Sequence, residues 1–272
     1  MKQTNESMKQ SLDATLRLYS IINRIGYTFR KISRLSRKNY KETPVWELQK
    51  LTNKNQKRIE QLRLLYNVNF ENHLHRANTL ENYHLLDILD QLKSNWNWQP
   101  PLQQNLVDVG SKNFYYAVAL NAFFRPSQMT GIELDAYGLY RDFHTRYSYA
   151  QYYIKHIPGA QFMAGDYCKT RLSADIITFF YPFVIPEPLV RWSLPLAQFK
   201  PQKIFNHAYQ TLGTDGLILM INQGNEEFEA AQKYLASAHF KMAQYQIITD
   251  TIQIRYLPPI ASLWHKEKHD LT

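Results

Sequence analysis

Two hydrophobic rhythms divide this chain of 272 residues. Up to residue 93, apolar positions recur every three or four residues. Leu16, Leu18, Ile21, Ile22 and Ile25 share one helical face, with Arg17 and Arg24 off it. Leu48, Leu51, Ile59, Leu62 and Leu65 continue the pattern, and Leu80, Leu85, Leu86, Ile88, Leu89 and Leu92 make a further apolar helix. Pro44 and the Asn-rich spots near 67–72 separate these segments, and Ser94 to Pro101 forms a stop. Beyond it the rhythm changes. Short apolar runs predict strands at 105–109, 128–133, 161–164, 174–180 and 216–222. Helical patterns lie between them at 113–123, 136–156, 198–212 and 225–238. Met242 to Tyr256 and Ala261 to His265 read as two closing strands joined near Pro258-Pro259.

Strand–helix alternation with short loops predicts an α/β fold, a parallel sheet with helices on both faces. Glycine usage divides the chain at the same point. Only Gly26 precedes residue 100, and the other eight glycines follow it. Residues 1–100 are thus expected to form a helical region and 101–272 the α/β domain. There is no internal repeat.

The junction at Asn105-Leu-Val-Asp-Val-Gly110-Ser-Lys-Asn-Phe114 carries the candidate chemistry. A buried strand stops at a glycine and a helical run follows at once. In an open α/β sheet, that is where a nucleotide-like ligand sits. Glu133 closes the second strand, 23 residues after Gly110. A carboxylate at that place accepts from ribose hydroxyls. Asp135 is its rival, with N-cap of the next helix as its expected role. Gly165-Asp166-Tyr167 ends the third strand, and Thr211 to Met220 reads as a helix end, a glycine turn and a fifth strand.

In order and spacing, these features resemble the class I S-adenosylmethionine (SAM)-dependent methyltransferases, over roughly the last two-thirds of the chain. The resemblance implies a Rossmann-like seven-stranded sheet closed by an antiparallel hairpin, with SAM as cofactor. It implies cofactor contacts from Asp108, Gly110, Ser111, Glu133, Asp166 and Tyr167. Asp166 would accept from the adenine amine, and Tyr167 would cover the ring. The turn departs from the family at its second and third glycines, where Lys112 and Phe114 or their neighbours stand. The loop Phe180-Tyr181-Pro182-Phe183 keeps only the second proline and the final aromatic of the loop used for amino-group methylation. Amino-methylation is therefore not supported. Tyr181 is the candidate catalytic residue, and Phe183 and Trp192 are candidates for substrate contact.

Charge adds a partner question. Residues 101–272 carry 15 Lys+Arg against 14 Asp+Glu, so the first hundred hold 17 bases and 9 acids. Arg30, Lys31, Arg34, Arg37, Lys38 and Lys41 crowd one segment, with Tyr27, Phe29 and Tyr40 among them. RNA is the first reading, with Arg30, Lys31, Arg34 and Lys38 on phosphates and the aromatics on bases. An interfacial helix on anionic lipid is the second, and a solvated face capping the SAM cleft the third. The layout of basic helices ahead of the α/β domain resembles, in arrangement and not in motif, that of ribosomal-RNA methyltransferases of the aminoglycoside-resistance type. Besides an RNA enzyme, two alternatives stand: a small-molecule methyltransferase with a helical lid, and a non-enzymatic protein that keeps the fold and has lost SAM binding. One cysteine, Cys168, excludes an intramolecular disulfide and fits a reducing compartment. No secretory signal or membrane span is apparent, so the cytoplasm is expected. No zinc spacing, P-loop or nucleophile elbow occurs. His73, His75 and His84 are expected at solvated helix positions, with no metal.

Overall fold

The computed structural model describes residues 2–43 and 51–267, with side chains from Asp13 onward. Pro44 and Leu48 lie outside the described residues. Three helices come first: α1 (Lys2–Ser33), α2 (Asn53–Tyr66) and α3 (Arg76–Asn95). Thr52 caps α2, its hydroxyl accepting from Asn55 N, and Asn67 ends that helix in the left-handed conformation.

Strand and helix then alternate: β1 (Asn105–Val109), α4 (Ala117–Phe124), β2 (Gln128–Glu133), α5 (Arg146–Ile154), β3 (Ala160–Ala164), β4 (Ala174–Phe180), α6 (Pro186–Arg191), α7 (Pro201–Thr211), β5 (Leu212–Gln223), α8 (Gly224–Ser237), β6 (Phe240–Ile247) and β7 (Pro259–Lys266). The seven strands form one sheet in the order β3-β2-β1-β4-β5-β7-β6. All pairs are parallel except those made by β7, which runs antiparallel between β5 and β6.

The strands at 105–109, 128–133 and 174–180 fall where the apolar runs place them. Both faces of the sheet are covered, as continuous apolar strands require. On one face Leu106, Ile176, Leu219 and Ile221 pack with α2, α3, α4 and α5. On the other, Val107, Ile177, Ile218 and Met220 pack with α7 and α8. Burial of α2 and α3 in the same core as the sheet ties the helical region to it.

Three expectations are corrected. The helix expected over 136–156 begins only at Arg146, capped by the Thr145 hydroxyl, which accepts from Ser148 N at 3.1 Å. Asp135 therefore caps no helix. Its carboxylate instead pairs with Arg30 and Arg146. Second, His84 is not solvated; it is 3% exposed on the inner face of α3. Third, the strand expected over 242–256 stops at Ile247, and residues 248–258 form a loop that returns to the sheet's ligand-facing edge.

α1 is attached by its polar side. The Ser20 hydroxyl accepts from Leu196 N (2.8 Å), and Asn23 donates to the carbonyls of Val190 (2.8 Å) and Leu194 (3.2 Å). Arg30 forms two 3.1 Å bonds to Asp135, and Tyr27 is buried among Leu189, Val190 and Leu194. Of the stripe read from the sequence, Leu18, Ile21, Ile22 and Ile25 face away from the protein, while Leu16 packs with Tyr27 against Leu189, Val190 and Leu194.

Candidate active site

A cavity of about 460 Å³ opens at the carboxyl ends of β1, β2, β3 and β4. That volume suits a small-molecule or cofactor site. Gly110, Glu133, Asp166 and Tyr167 line it on one side, and Phe179 to Val184 run along it. Glu81 and His84 of α3 and Arg255 of the 248–258 loop form the opposite wall.

The floor is set by the β1 turn. Gly110 has φ +79°, and its N–H and that of Ser111 both donate to Ile132 O, at 2.9 and 3.1 Å. A Cβ on Gly110, or on Gly165 at the end of β3, would meet nothing within 4 Å. Both glycines thus leave open space against backbone, the cradle that a ligand lying on the strand ends requires. Glu133 is 6% exposed. One carboxylate oxygen accepts from Lys112 N and the other from Asp135 N, both at 2.8 Å, with Arg146 at 3.4 Å. A carboxylate has about four acceptor positions, so Glu133 keeps capacity for ligand hydroxyls. Burial raises its pKa, while Arg146 and the two backbone N–H groups oppose the rise.

The two positions that lack family glycines keep the glycine-like backbone. Lys112 has φ +55° and Phe114 φ +54°. Their side chains go opposite ways. The Phe114 ring is wholly buried and lies on Gly131 of β2, where a Cβ would come within 2.7 Å of it. Lys112 instead lines the cavity. Its ammonium sits 5.0 Å from the Trp192 ring centre and 5.5 Å from that of Tyr115. The Arg146 guanidinium lies over Trp192 as well, at 5.3 Å. Burial, and then the charge of Arg146, lowers the Lys112 pKa.

Asp108 and Ser111 lie below the cavity rather than in it. Both are wholly buried. The β1–β4 register sets Thr178 beside Asp108, and Asp108 accepts from its hydroxyl at 2.6 Å and from Tyr116 OH at 2.7 Å. The Ser111 hydroxyl has no partner among the described residues. Burial pushes the Asp108 carboxyl up to about 7, although both hydroxyls favour its ionised form. A raised folded-state carboxylate pKa means the native chain holds a proton that the unfolded chain has lost. Stability is then present at low pH and is lost as pH rises from about 4 to about 7, by something of the order of 4 kcal/mol for a shift of this size. Asp108→Asn is expected to flatten that part of the profile. Urea unfolding midpoints across a pH series would measure it; an unchanged slope assigns the loss to other groups.

Asp166 turns one oxygen to Cys168 N at 3.0 Å and still lines the cavity. Tyr167 is 4% exposed, packed edge-on to His207. Burial pushes the Cys168 thiol up to about 11. Phe183 and Trp192 also line the cavity, 6.1 Å apart between ring centres, and Tyr181 is held in the left-handed conformation at φ +54°. Burial pushes the Tyr181 hydroxyl up to about 12. The four bases expected to face phosphate do not share one environment. Arg30 is committed to Asp135 and the Ser193 carbonyl, and Arg34 lies over the Tyr137 ring. Lys31 and Lys38 are exposed.

The sheet order, with antiparallel β7 between β5 and β6, now stands together with a cavity on the strands' carboxyl ends. The fold is that of the class I SAM-dependent methyltransferases. No family model matches the sequence, and no curated protein matches it. Solved structures with similar chains include PH1948 of Pyrococcus horikoshii, described as a candidate RNA methyltransferase. Its TM-score is 0.48 at 11% identity, covering 68% of this chain and 85% of that one. TrmN of Thermus thermophilus gives 0.48 at 13%, covering 66% and 48%, so this chain spans about half of its length. A SAM-dependent methyltransferase of Clostridium acetobutylicum gives 0.47 at 8%, covering 80% and 100%. In this methyltransferase fold, sequence reasoning passed over Lys112, Arg146, Glu81, His84 and Arg255. Lys112 had a signal: a cation standing where the family has glycine.

The His84 side chain lies on the cavity wall. Its Nδ1 faces Gln253 N at 3.4 Å, which assigns the proton to Nε2. That nitrogen is buried without a partner among the described residues. Burial, helped by the charge of Arg255, pulls its pKa down to about 4, so the ring is neutral at pH 7. Beside it Arg255 pairs with Glu81 at 2.5 Å. No group of residues suited to a metal occurs among the described residues.

Proposed function

We propose that the protein transfers a methyl group from SAM to a small-molecule acceptor. The observation that carries the reading is the open backbone cradle at Gly110 and Gly165, with the Glu133 carboxylate between them at the end of β2. Glu133 would take the ribose hydroxyls, and Asp166 the adenine amine. Lys112 would pair with the carboxylate of the methionine tail, a task that backbone N–H groups of a glycine-rich turn perform when they are free. Here the Gly110 and Ser111 N–H groups are spent on Ile132. Bound SAM supplies an electrophilic methyl on a sulfonium. The chain's own contribution is orientation and exclusion of water.

The acceptor would lie against α3 and the 248–258 loop. His84 Nε2–H offers a donor, the Glu81–Arg255 pair a polar edge, and Phe180, Phe183 and Trp192 apolar walls. The cavity's small volume and the internal engagement of Arg30 favour this acceptor class over an RNA strand. Tyr181 is the candidate group at the transfer point.

Calorimetry tests the cofactor assignment. Wild type should bind SAM and S-adenosylhomocysteine. Lys112→Met should weaken both by about tenfold or more, the worth of one charge-assisted hydrogen bond. Methylthioadenosine has no carboxylate, and its affinity should not change. Absence of SAM binding by the folded wild type would sink the reading. Equal losses for all three ligands would remove Lys112 from the carboxylate.

A further inference from the structure

The strongest feature outside the cavity is the outer face of α1. Leu18, Ile21, Ile22, Ile25, Phe29 and Ile32 are 56–77% exposed. They recur at intervals of three and four, so they form one stripe down the helix, opposite the docked residues Ser20, Asn23, Tyr27 and Arg30. Leu18 to Ile32 covers about 20 Å of helix axis. The patch continues past the helix end. Leu35 is 60% exposed, and Arg37 N donates to the carbonyl of Phe143, itself 71% exposed.

Charge decides what fits this stripe. From Ala14 to Lys41 the chain has eight Lys and Arg and no Asp or Glu. Arg17, Arg24 and Lys31 lie along one edge of the stripe and are exposed. A contiguous exposed apolar surface of this kind marks an interaction site. A second copy of α1 would bring the same excess of cations, with only Glu6 and Asp13 to meet them, and Asp13 is already paired with Arg17 at 2.8 Å. RNA would meet the cations but leave six aliphatic and aromatic side chains against phosphate and water. An anionic lipid surface meets both: acyl chains take the stripe, and headgroups take the bases. Among the described residues no helix is long and apolar enough to cross a membrane, so the contact is with the surface.

We propose that α1 lies in the headgroup boundary of an anionic membrane, stripe inward, and holds the protein there. The hydrogen bonds of Ser20 and Asn23 and the Arg30–Asp135 pair keep the helix fixed to the α/β domain. The cavity is therefore carried at the surface in a set orientation. The proposal does not depend on methyl transfer; SAM titration of the same variants reads that separately.

The full chain is tested by flotation with vesicles of phosphatidylcholine alone and of phosphatidylcholine with phosphatidylglycerol. Binding is expected to the mixed vesicles and to weaken as salt rises. Ile22→Ser, Ile25→Ser and Phe29→Ser together should cut partitioning by roughly a hundredfold, since three apolar side chains leave the lipid. The thermal midpoint should stay, because all three are exposed. Arg17→Gln, Arg24→Gln and Lys31→Gln together should weaken binding to the anionic vesicles and flatten its salt dependence. Four results overturn the proposal. The wild type could fail to float with mixed vesicles, or the serine variant could float as well as wild type. The wild type could be a dimer that the serine changes dissociate, with no lipid binding. Or RNA could be retained on filters in a way lost on the Gln changes and kept on the Ser changes.

Discussion

Phe114→Ala is expected to destabilise the fold by about 3–5 kcal/mol, the usual cost of emptying a buried aromatic position. The ring is wholly buried between Gly131 and the rings of Tyr116 and Phe162. Because Phe114 sits at φ +54°, the order of two variants is unusual. Glycine normally costs about 0.5–1 kcal/mol more than alanine. Here it relieves about 1–2 kcal/mol of left-handed strain, so Phe114→Gly should be the more stable of the two. Gly131→Ala places a methyl 2.7 Å from the ring and should cost about 1–3 kcal/mol by overpacking. The same change in a Phe114→Gly background should cost little. Urea unfolding of the four proteins closes the double-mutant cycle. A coupling energy near zero would show that ring and glycine are independent.

The largest expected effect on ligand binding is at Glu133. With SAM posed as proposed, Glu133→Gln loses ribose hydrogen bonds to a charged group, about 1.5–3 kcal/mol, or roughly tenfold to a hundredfold in affinity. The amide also serves Lys112 N and Asp135 N less well, because only one of its two ends accepts. A moderate loss of stability should accompany the change, and circular dichroism would confirm the variant is folded. S-adenosylhomocysteine shares the ribose and should lose the same factor. Undiminished affinity for both in a folded variant would remove Glu133 from the cofactor site.

Most of the sheet could be read from sequence for a plain reason. Buried parallel strands are continuous apolar runs, and those at 105–109, 128–133 and 174–180 end at a glycine, at Glu133 and at the aromatic loop. Between 136 and 145 the Tyr- and Leu-bearing pattern also suits a helix. A local chain reversal forms instead: the Gly138 N–H goes to the Asp135 carbonyl and the Tyr147 N–H to that of Ala136, and Thr145 caps the helix that does form. Periodicity also located the α1 stripe without its direction, because a helix attached by Ser20, Asn23 and Arg30 is held through polar groups. His84 was hidden for a related reason. A histidine on a helix has the same pattern whether it faces water or a cavity wall.

The Phe114–Gly131 contact has a consequence for recognising other chains of this kind. A search keyed to three glycines in the first turn passes over a chain with Phe114 in the turn and Gly131 beneath its ring, one strand across. In an alignment of homologues, positions 114 and 131 should change as a couple: an aromatic at one with glycine at the other, or a small residue at the first with a free choice at the second. If the pairing holds, these two positions, 17 residues apart, carry what the glycine count of the turn leaves out.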